Sequence, residues 1–459
     1  MIHLRPLRAG LIGLLSALTI VLAACGSTSR PAATPQVTAT LPSGQAHDWT
    51  MYHYDRARTG YIADTPNPKS LNVAWSVPLD EAVYAQPLAI GGKIIVATEG
   101  NTIYALKASD GSVLWKTNLG APVTRDNLPC GNISPLGITG TPVYDPATKL
   151  IFAVAETSGP KHELVALDID SGQVRQRRSA DPPGMSSPKA HQERAALALN
   201  NGIVYVAYGG LFGDCGDYHG TVIGARTDGQ GSLMVYQVPT TREAGIWAPP
   251  GPVIDANGKL YVSVGNGEAT SGAWDKSDSV LRLSPQLQFE DGFAPTSWPS
   301  DNAADLDLGS MAPVLLSDGS IVSAGKSGQG YLLRSDHLGG VGGQVQEMEL
   351  CRAFGGAAVL GTRAFLPCTD GVREVKVESG KMTVGWHADS NITKSPVIGG
   401  HTLYDLGADG KLYALDVDSG RERASVQIGD ATRFATPTIY GEALFVGTVA
   451  GVTAVKIGN

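Results

Sequence analysis

The sequence predicts an all-β ring of eight four-stranded antiparallel blades, a β-propeller closed by an N-terminal strand. Two observations carry this reading. Eight times an apolar strand runs into a small turn and a second strand, most clearly at Tyr104-Ala105-Leu106 with Asp110-Gly111, Val165-Ala166-Leu167-Asp168 with Ser171-Gly172, and Tyr413-Ala414-Leu415-Asp416 with Ser419-Gly420. Eight times, too, a small residue or proline opens an apolar strand, at Pro87, Pro142, Leu197, Pro252, Pro313, Ala357, Pro396 and Pro437. These openings lie about 40 to 60 residues apart, which suits one four-stranded sheet plus its turns. Proline fits a strand start because its missing N–H costs little there.

The chain begins differently. Arg5 and Arg8 precede an apolar run from Leu11 to Ala24. A basic start, a short apolar core and small residues before a cut site read as a secretory signal over residues 1–24. The run is too short for a good transmembrane span. Its end, Leu22-Ala23-Ala24-Cys25, resembles a bacterial lipoprotein signal. That resemblance implies lipidation of Cys25, export, and a membrane anchor on the extracytoplasmic side. Residues 25–46 are mostly Ser, Thr, Ala, Pro and Gly and form a tether of roughly 25 Å. Residues 47–459 form the propeller. Removing Arg5 and Arg8 takes the formal charge from −8 to −10, and an acidic chain without basic runs argues against nucleic acid. A monomer is expected, with a small molecule or a protein as further partner.

Within the propeller region, alternating runs such as Lys259-Leu260-Tyr261-Val262-Ser263-Val264 are punctuated by Gly pairs, Asp-Gly and Asn-Gly. The last repeat stops early, at Val452-Thr453-Ala454-Val455. The strand Val73-Ala74-Trp75-Ser76-Val77 precedes the first opening and has no partner of its own. The simplest closure has that strand complete the last sheet and remove an exposed edge. Four cysteines remain beyond Cys25, and three pairings are possible. Cys351 and Cys368 flank one hairpin region, which favours Cys351–Cys368 and leaves Cys130–Cys215 to join neighbouring repeats. Four free thiols are the alternative.

The phrase from Ala105 to Trp115 resembles the tryptophan-docking repeat of quinoprotein propellers. Other repeats lack the Trp, so irregular docking between blades is expected. Asp48-Trp49-Thr50-Met51-Tyr52 through Arg58-Thr59-Gly60 also resembles the opening of these domains. Several positions resemble the cofactor site of pyrroloquinoline-quinone (PQQ) dehydrogenases. The resemblance implies that Trp247 is the floor under the quinone and that Lys326 touches its oxygens. It implies that Glu156, Asn266 and Asp307 hold calcium, with Asp307 also the general base. The chemistry needs these types: calcium takes hard oxygens, a carboxylate must reach the alcohol proton, and a cation stabilises developing charge.

Departures from the family are equally visible. No Cys-Cys pair occurs; a Cys130–Cys215 bridge near the axis would have to stand in for it. No Cys-x-x-Cys-His occurs either, so no haem motif is carried. The loop with Asp214, Asp217 and His219 reads as hydrogen-bonded structure before it reads as a metal site. Two functions follow. One is a surface binding or scaffold propeller with a central ligand funnel, which resembles the propeller lipoprotein of outer-membrane protein assembly. The other is a PQQ- and calcium-dependent alcohol or sugar dehydrogenase that passes electrons to a separate acceptor.

Overall fold

Each of the eight openings becomes the innermost strand of its own sheet. The computed structural model describes residues 46–458 and the backbone of the strand Gln36–Val37. The signal over 1–24, Cys25 and most of the tether lie outside the described residues. The blades are blade 1 (88–118), blade 2 (143–179), blade 3 (198–237), blade 4 (253–294), blade 5 (314–349), blade 6 (358–387), blade 7 (397–427) and blade 8 (438–458 with 70–78). Their core strands pair antiparallel. Each proline ends the linker one residue before the innermost strand, as Pro142 does before Val143–Asp145. One short helix, Trp298–Ala304, interrupts the linker between blades 4 and 5.

Closure is as expected. Ser70–Pro78 pairs antiparallel with Gly451–Gly458 and forms the outer strand of blade 8. Trp75 there lies opposite Ala454, the same pairing that sets Trp115 opposite Ala105 in blade 1.

This corrects the expectation of a single tryptophan joint. Three indoles dock on the next blade. Trp75 lies over Gly111, Trp115 over Gly172 and Trp386 over Gly420; a methyl group on those glycines would come within 2.8, 2.4 and 2.5 Å of the rings. Each indole N–H donates to a carbonyl of the same turn: Ala108 at 3.1 Å, Ile169 at 3.1 Å and Val417 at 2.9 Å. The other joints differ. Gln176 donates to the Thr227 carbonyl, Tyr205 to Pro285, Tyr261 and Arg282 to Ser335, and Gln346 to Met382.

The segment from Trp49 to Gly60 crosses the axis. Trp49 exchanges backbone hydrogen bonds with Ala89 of blade 1 (2.7 and 3.1 Å), and Thr50 accepts from Tyr144 of blade 2. Arg56, Thr59 and Gly60 accept from Ile254, Val359 and Ile398 of blades 4, 6 and 7. Arg58 donates to Leu197 in the linker opening blade 3 (3.0 Å). His53 is fully buried, its Nδ1 on the Ala357 carbonyl and its Nε2 on Thr436 Oγ1. Burial holds His53 neutral, with its pKa down to about 3.

The two disulfides are Cys130–Cys215 and Cys351–Cys368. The first ties the linker between blades 1 and 2 to a loop of blade 3. The second ties the linker before blade 6 to the turn after that blade's second strand.

Candidate functional site

The linkers that precede the innermost strands and the turns that end the second strands share one end of the ring. The segment 49–60 packs beside the innermost strands beyond that end. A ligand therefore meets the site from the linker end.

Four of the five dehydrogenase-like positions converge there. Trp247 comes from the linker before blade 4, and Asn266 from the turn after its second strand, Leu260–Val264. Asp307 comes from the linker before blade 5, and Lys326 from the turn after Ser320–Ala324. Asp307 Oδ1 accepts the Asn266 backbone N–H at 2.7 Å, and its Oδ2 pairs with Lys326 Nζ. Lys326 Nζ also pairs with Asp305 at 2.5 Å and lies 5.8 Å from the centre of the Trp247 ring. Asn266 Nδ2 donates to Asp305 at 2.9 Å. Gly265 makes this approach possible, because a methyl group there would lie 2.2 Å from Asp307 Oδ1.

Asp305 takes up its place through the backbone. It ends the helix Trp298–Ala304 in a left-handed conformation, φ 53°, which Asp tolerates better than most residues. Burial raises the Asp307 carboxyl above its ordinary value, and the Lys326 ammonium pulls it partly back. For Lys326 burial acts downward, but the Asp307 charge overrides it, so Lys326 stays protonated. Asn266 Oδ1 is buried without a hydrogen-bond partner, an acceptor left free beside the pair.

Glu156 is not brought to this group. Its Oε1 accepts the Glu193 backbone N–H at 2.9 Å and lies 3.7 Å from His162 Nε2, on the side of blades 1 to 3. There it joins two further buried glutamates. Glu99 accepts from Gly137 N at 2.7 Å and Thr139 Oγ1 at 2.9 Å, and burial pushes it up to about 8. Glu193 has both carboxyl oxygens buried and unpartnered, and burial followed by the Glu156 charge raises it strongly. Burial pulls His162 down, but Glu156 and Asp181 more than offset this and carry it up to about 10. No group of three or more His, Cys, Asp or Glu among the described residues is arranged to hold a metal. Of the calcium set, Glu156 and Asp307 have different partners: Glu156 accepts from Glu193 N and lies beside His162, while Asp307 accepts from Asn266 N and is neutralised by Lys326.

Other side chains at this end were not visible as candidates in the sequence. Arg194 interrupts the inner edge of blade 3, between His191–Gln192 and Ala198–Asn200. Phe354, Lys394, Arg433 and Phe434 lie in the linkers before blades 6, 7 and 8. The ring of Phe434 lies 6.3 Å from that of Trp247. Their common signal is position, a few residues ahead of each opening, rather than residue type. The loop at Asp214, Asp217 and His219 is hydrogen-bonded structure: Asp214 accepts from Tyr218 at 2.6 Å and Asp217 from Ser186 at 2.8 Å.

Comparison with known proteins shows what the repeat is similar to. Residues 67–282 match the family described as "Outer membrane protein assembly factor BamB". The chain carries the quinoprotein-like propeller repeat. Among curated proteins, a polyvinylalcohol dehydrogenase from Pseudomonas sp is 25% identical over 317 residues. That match covers 60% of this chain and 46% of the relative, so the chain spans under half of that protein. Among solved structures, the quinohemoprotein alcohol dehydrogenase from Comamonas testosteroni superposes with a TM-score of 0.72 at 14% identity, over 90% of this chain and 81% of that one. BamB from Moraxella catarrhalis superposes with a TM-score of 0.58 at 18% identity, over 84% and 99%. At these identities the superpositions establish the shared fold of the quinoprotein-like propeller and no more.

Proposed function

We propose that this quinoprotein-like propeller binds a planar quinone of the PQQ kind over Trp247 and oxidises an alcohol, with Asp307 as the base. The observation that carries this reading is the convergence of Trp247, Asn266, Asp307 and Lys326, from two linkers and two turns, on one point. An aromatic floor, a protonated lysine and a free buried acceptor suit a flat, oxygen-rich cofactor. When bound, such a quinone would supply the two-electron oxidant. Asp307, held by Asn266 N–H and Lys326, receives the alcohol proton. Its raised pKa makes it a better acceptor than an ordinary surface carboxylate. Lys326 places positive charge where negative charge develops and, paired with Asp305, keeps that charge throughout. Electrons then leave to a separate acceptor. Export and lipidation at Cys25 would hold the ring, as a monomer, at an extracytoplasmic membrane surface.

A second reading, a binding or scaffold propeller, is favoured by the match of residues 67–282 to the BamB family and by the separation of Glu156 from Asp307. One titration distinguishes the two. The full chain in detergent is titrated with PQQ, with and without calcium, while tryptophan fluorescence is followed. Saturable quenching that is lost in Trp247→Leu supports the cofactor reading. Absence of binding in both arms overturns it and leaves the scaffold.

A further inference from the structure

A further carboxyl lies behind the pair of Asp307 and Lys326. Asp278 is buried and immediately precedes the third strand of blade 4, Ser279–Leu283. Its backbone is left-handed, φ 46°, a conformation that Asp and Asn tolerate better than most residues. Its N–H donates to the Gly265 carbonyl at 2.9 Å. Its Oδ1 accepts the Leu308 N–H at 2.6 Å. That N–H belongs to the peptide joining Asp307 to Leu308. The other pole of the same peptide, the Asp307 carbonyl, accepts the Lys326 N–H at 2.8 Å. Two blades therefore grip one peptide plane, blade 4 through the Asp278 side chain and blade 5 through the Lys326 backbone.

The linker around it has separate support. Asn302, in the helix Trp298–Ala304, donates to Ser277 Oγ at 2.8 Å and to the Ala269 carbonyl at 2.7 Å, and accepts the Gly267 N–H at 3.0 Å. These bonds tie the helix to blade 4 without Asp278. The Asp278 carboxyl acts only where the linker turns through Asp307.

A peptide held at its carbonyl alone can still swing about that one hydrogen bond. Held at its N–H as well, it fixes ψ of Asp307 and with it the direction in which the Asp307 side chain leaves the backbone. A reacting group needs this kind of support from its neighbours, because a misplacement of about 1 Å costs up to about 10²-fold in rate. We propose that Asp278 is the positioning residue of the Asp307–Lys326 pair: its hold on the Leu308 N–H aims the Asp307 carboxylate at the Lys326 ammonium and at the mouth of the ring. Burial pushes the Asp278 carboxyl strongly toward its neutral form; the Leu308 N–H opposes this and the Asp307 charge adds to it. A neutral carboxyl has the shape and charge of an Asn amide, and both offer Leu308 an acceptor oxygen. The hold is a property of the chain itself, whatever the mouth binds; only its consequence for turnover rests on the quinone reading.

Competitive acetylation of the full chain in detergent, with Lys326 read against Lys411 by mass spectrometry, tests this without any cofactor. Lys326 reacts slowly while Asp305 and Asp307 keep it protonated. Asp278→Gly removes the acceptor and suits the left-handed backbone. It is expected to raise Lys326 reactivity about tenfold. Asp278→Asn keeps the acceptor and should hold the reactivity within about twofold of the unaltered chain. In quinone-dependent alcohol oxidation, Asp278→Gly should lower kcat about tenfold with little change in KM, and Asp278→Asn should recover most of that loss. Unchanged Lys326 reactivity in an Asp278→Gly chain that melts normally overturns the proposal and leaves the quinone reading standing. An equal rise in both variants also overturns it, because the hydrogen bond to Leu308 is then not what matters. A rise confined to Asp278→Gly, with no turnover by the unaltered chain, keeps the positioning role and overturns the quinone reading. If Asp278→Gly does not fold, amide exchange in the unaltered chain decides. Exchange at Leu308 as slow as in the strand Ser320–Ala324 supports the hold, and exchange as fast as in the exposed turns overturns it.

Discussion

Two stretches of the ring solve the same packing problem differently. From blade 8 through blade 1 to blade 2, and again from blade 6 to blade 7, an indole covers a turn glycine and donates to a turn carbonyl. From blade 2 to blade 6 the joints are hydrogen bonds from Gln, Tyr and Arg side chains to carbonyls. The Trp247–Asp307–Lys326 group lies in this second stretch. The indole joint demands a fixed turn and a fixed strand length. The polar joints tolerate the inserted helix Trp298–Ala304 and the split inner strand of blade 3. Regular repeats hold the ring, and the irregular ones have room to present chemistry.

The sharpest way to break this division is Asp307→Asn. It should lower quinone-dependent alcohol oxidation by about 10²- to 10⁴-fold, read with an artificial electron acceptor, while melting changes little. Equal loss of stability would place Asp307 on the scaffold side. Trp115→Ala should do the reverse. It should cost about 3 kcal/mol in denaturant unfolding and leave ligand affinity unchanged. Replacing Cys130 and Cys215 together by Ser should cost about 2 kcal/mol, because it frees the loops that flank the mouth between blades 1 and 3. A loss of ligand affinity without loss of stability would move those loops into the functional half.

The smallest effect concerns pH. Glu99 is raised from an ordinary 4.5 to about 8. The folded state therefore holds this proton more tightly than the unfolded chain. The resulting stability is full below about pH 4.5 and is lost as pH rises through about 8. Glu99→Gln should flatten the fall in melting temperature over that window, raising it by about 2 °C at the alkaline end. Unchanged pH dependence would show that Glu99 ionises freely.

The blades were legible because each repeats two local signals, a proline or small residue ahead of a strand and a turn glycine after one. Trp75 was not legible as a joint, because its partner Ala454 lies at the other end of the chain. Asn266, Asp307 and Lys326 could be found through resemblance, since each sits in a short motif with its own glycine. Glu156 illustrates why such matching falters. Glu99, Asn266 and Lys326 follow second strands and Glu156 lies at the end of one, all at the same end of the ring, so residue type and local context do not reveal which blade faces which. Arg194, Lys394 and Arg433 escaped because a search for repeats discards what is not repeated.

The pairing of Ser70–Pro78 with Gly451–Gly458 has a temporal consequence. A nascent chain can form blades 1 to 7 as they emerge, but the eighth sheet lacks its outer neighbour's partner until residue 458 has been made. Blades 1 to 7 must wait, unclosed, for the eight residues of the strand Gly451–Gly458. Loss of even that short stretch would leave unpaired the edge of Ser70–Pro78 that it covers, able to recruit the wrong partner.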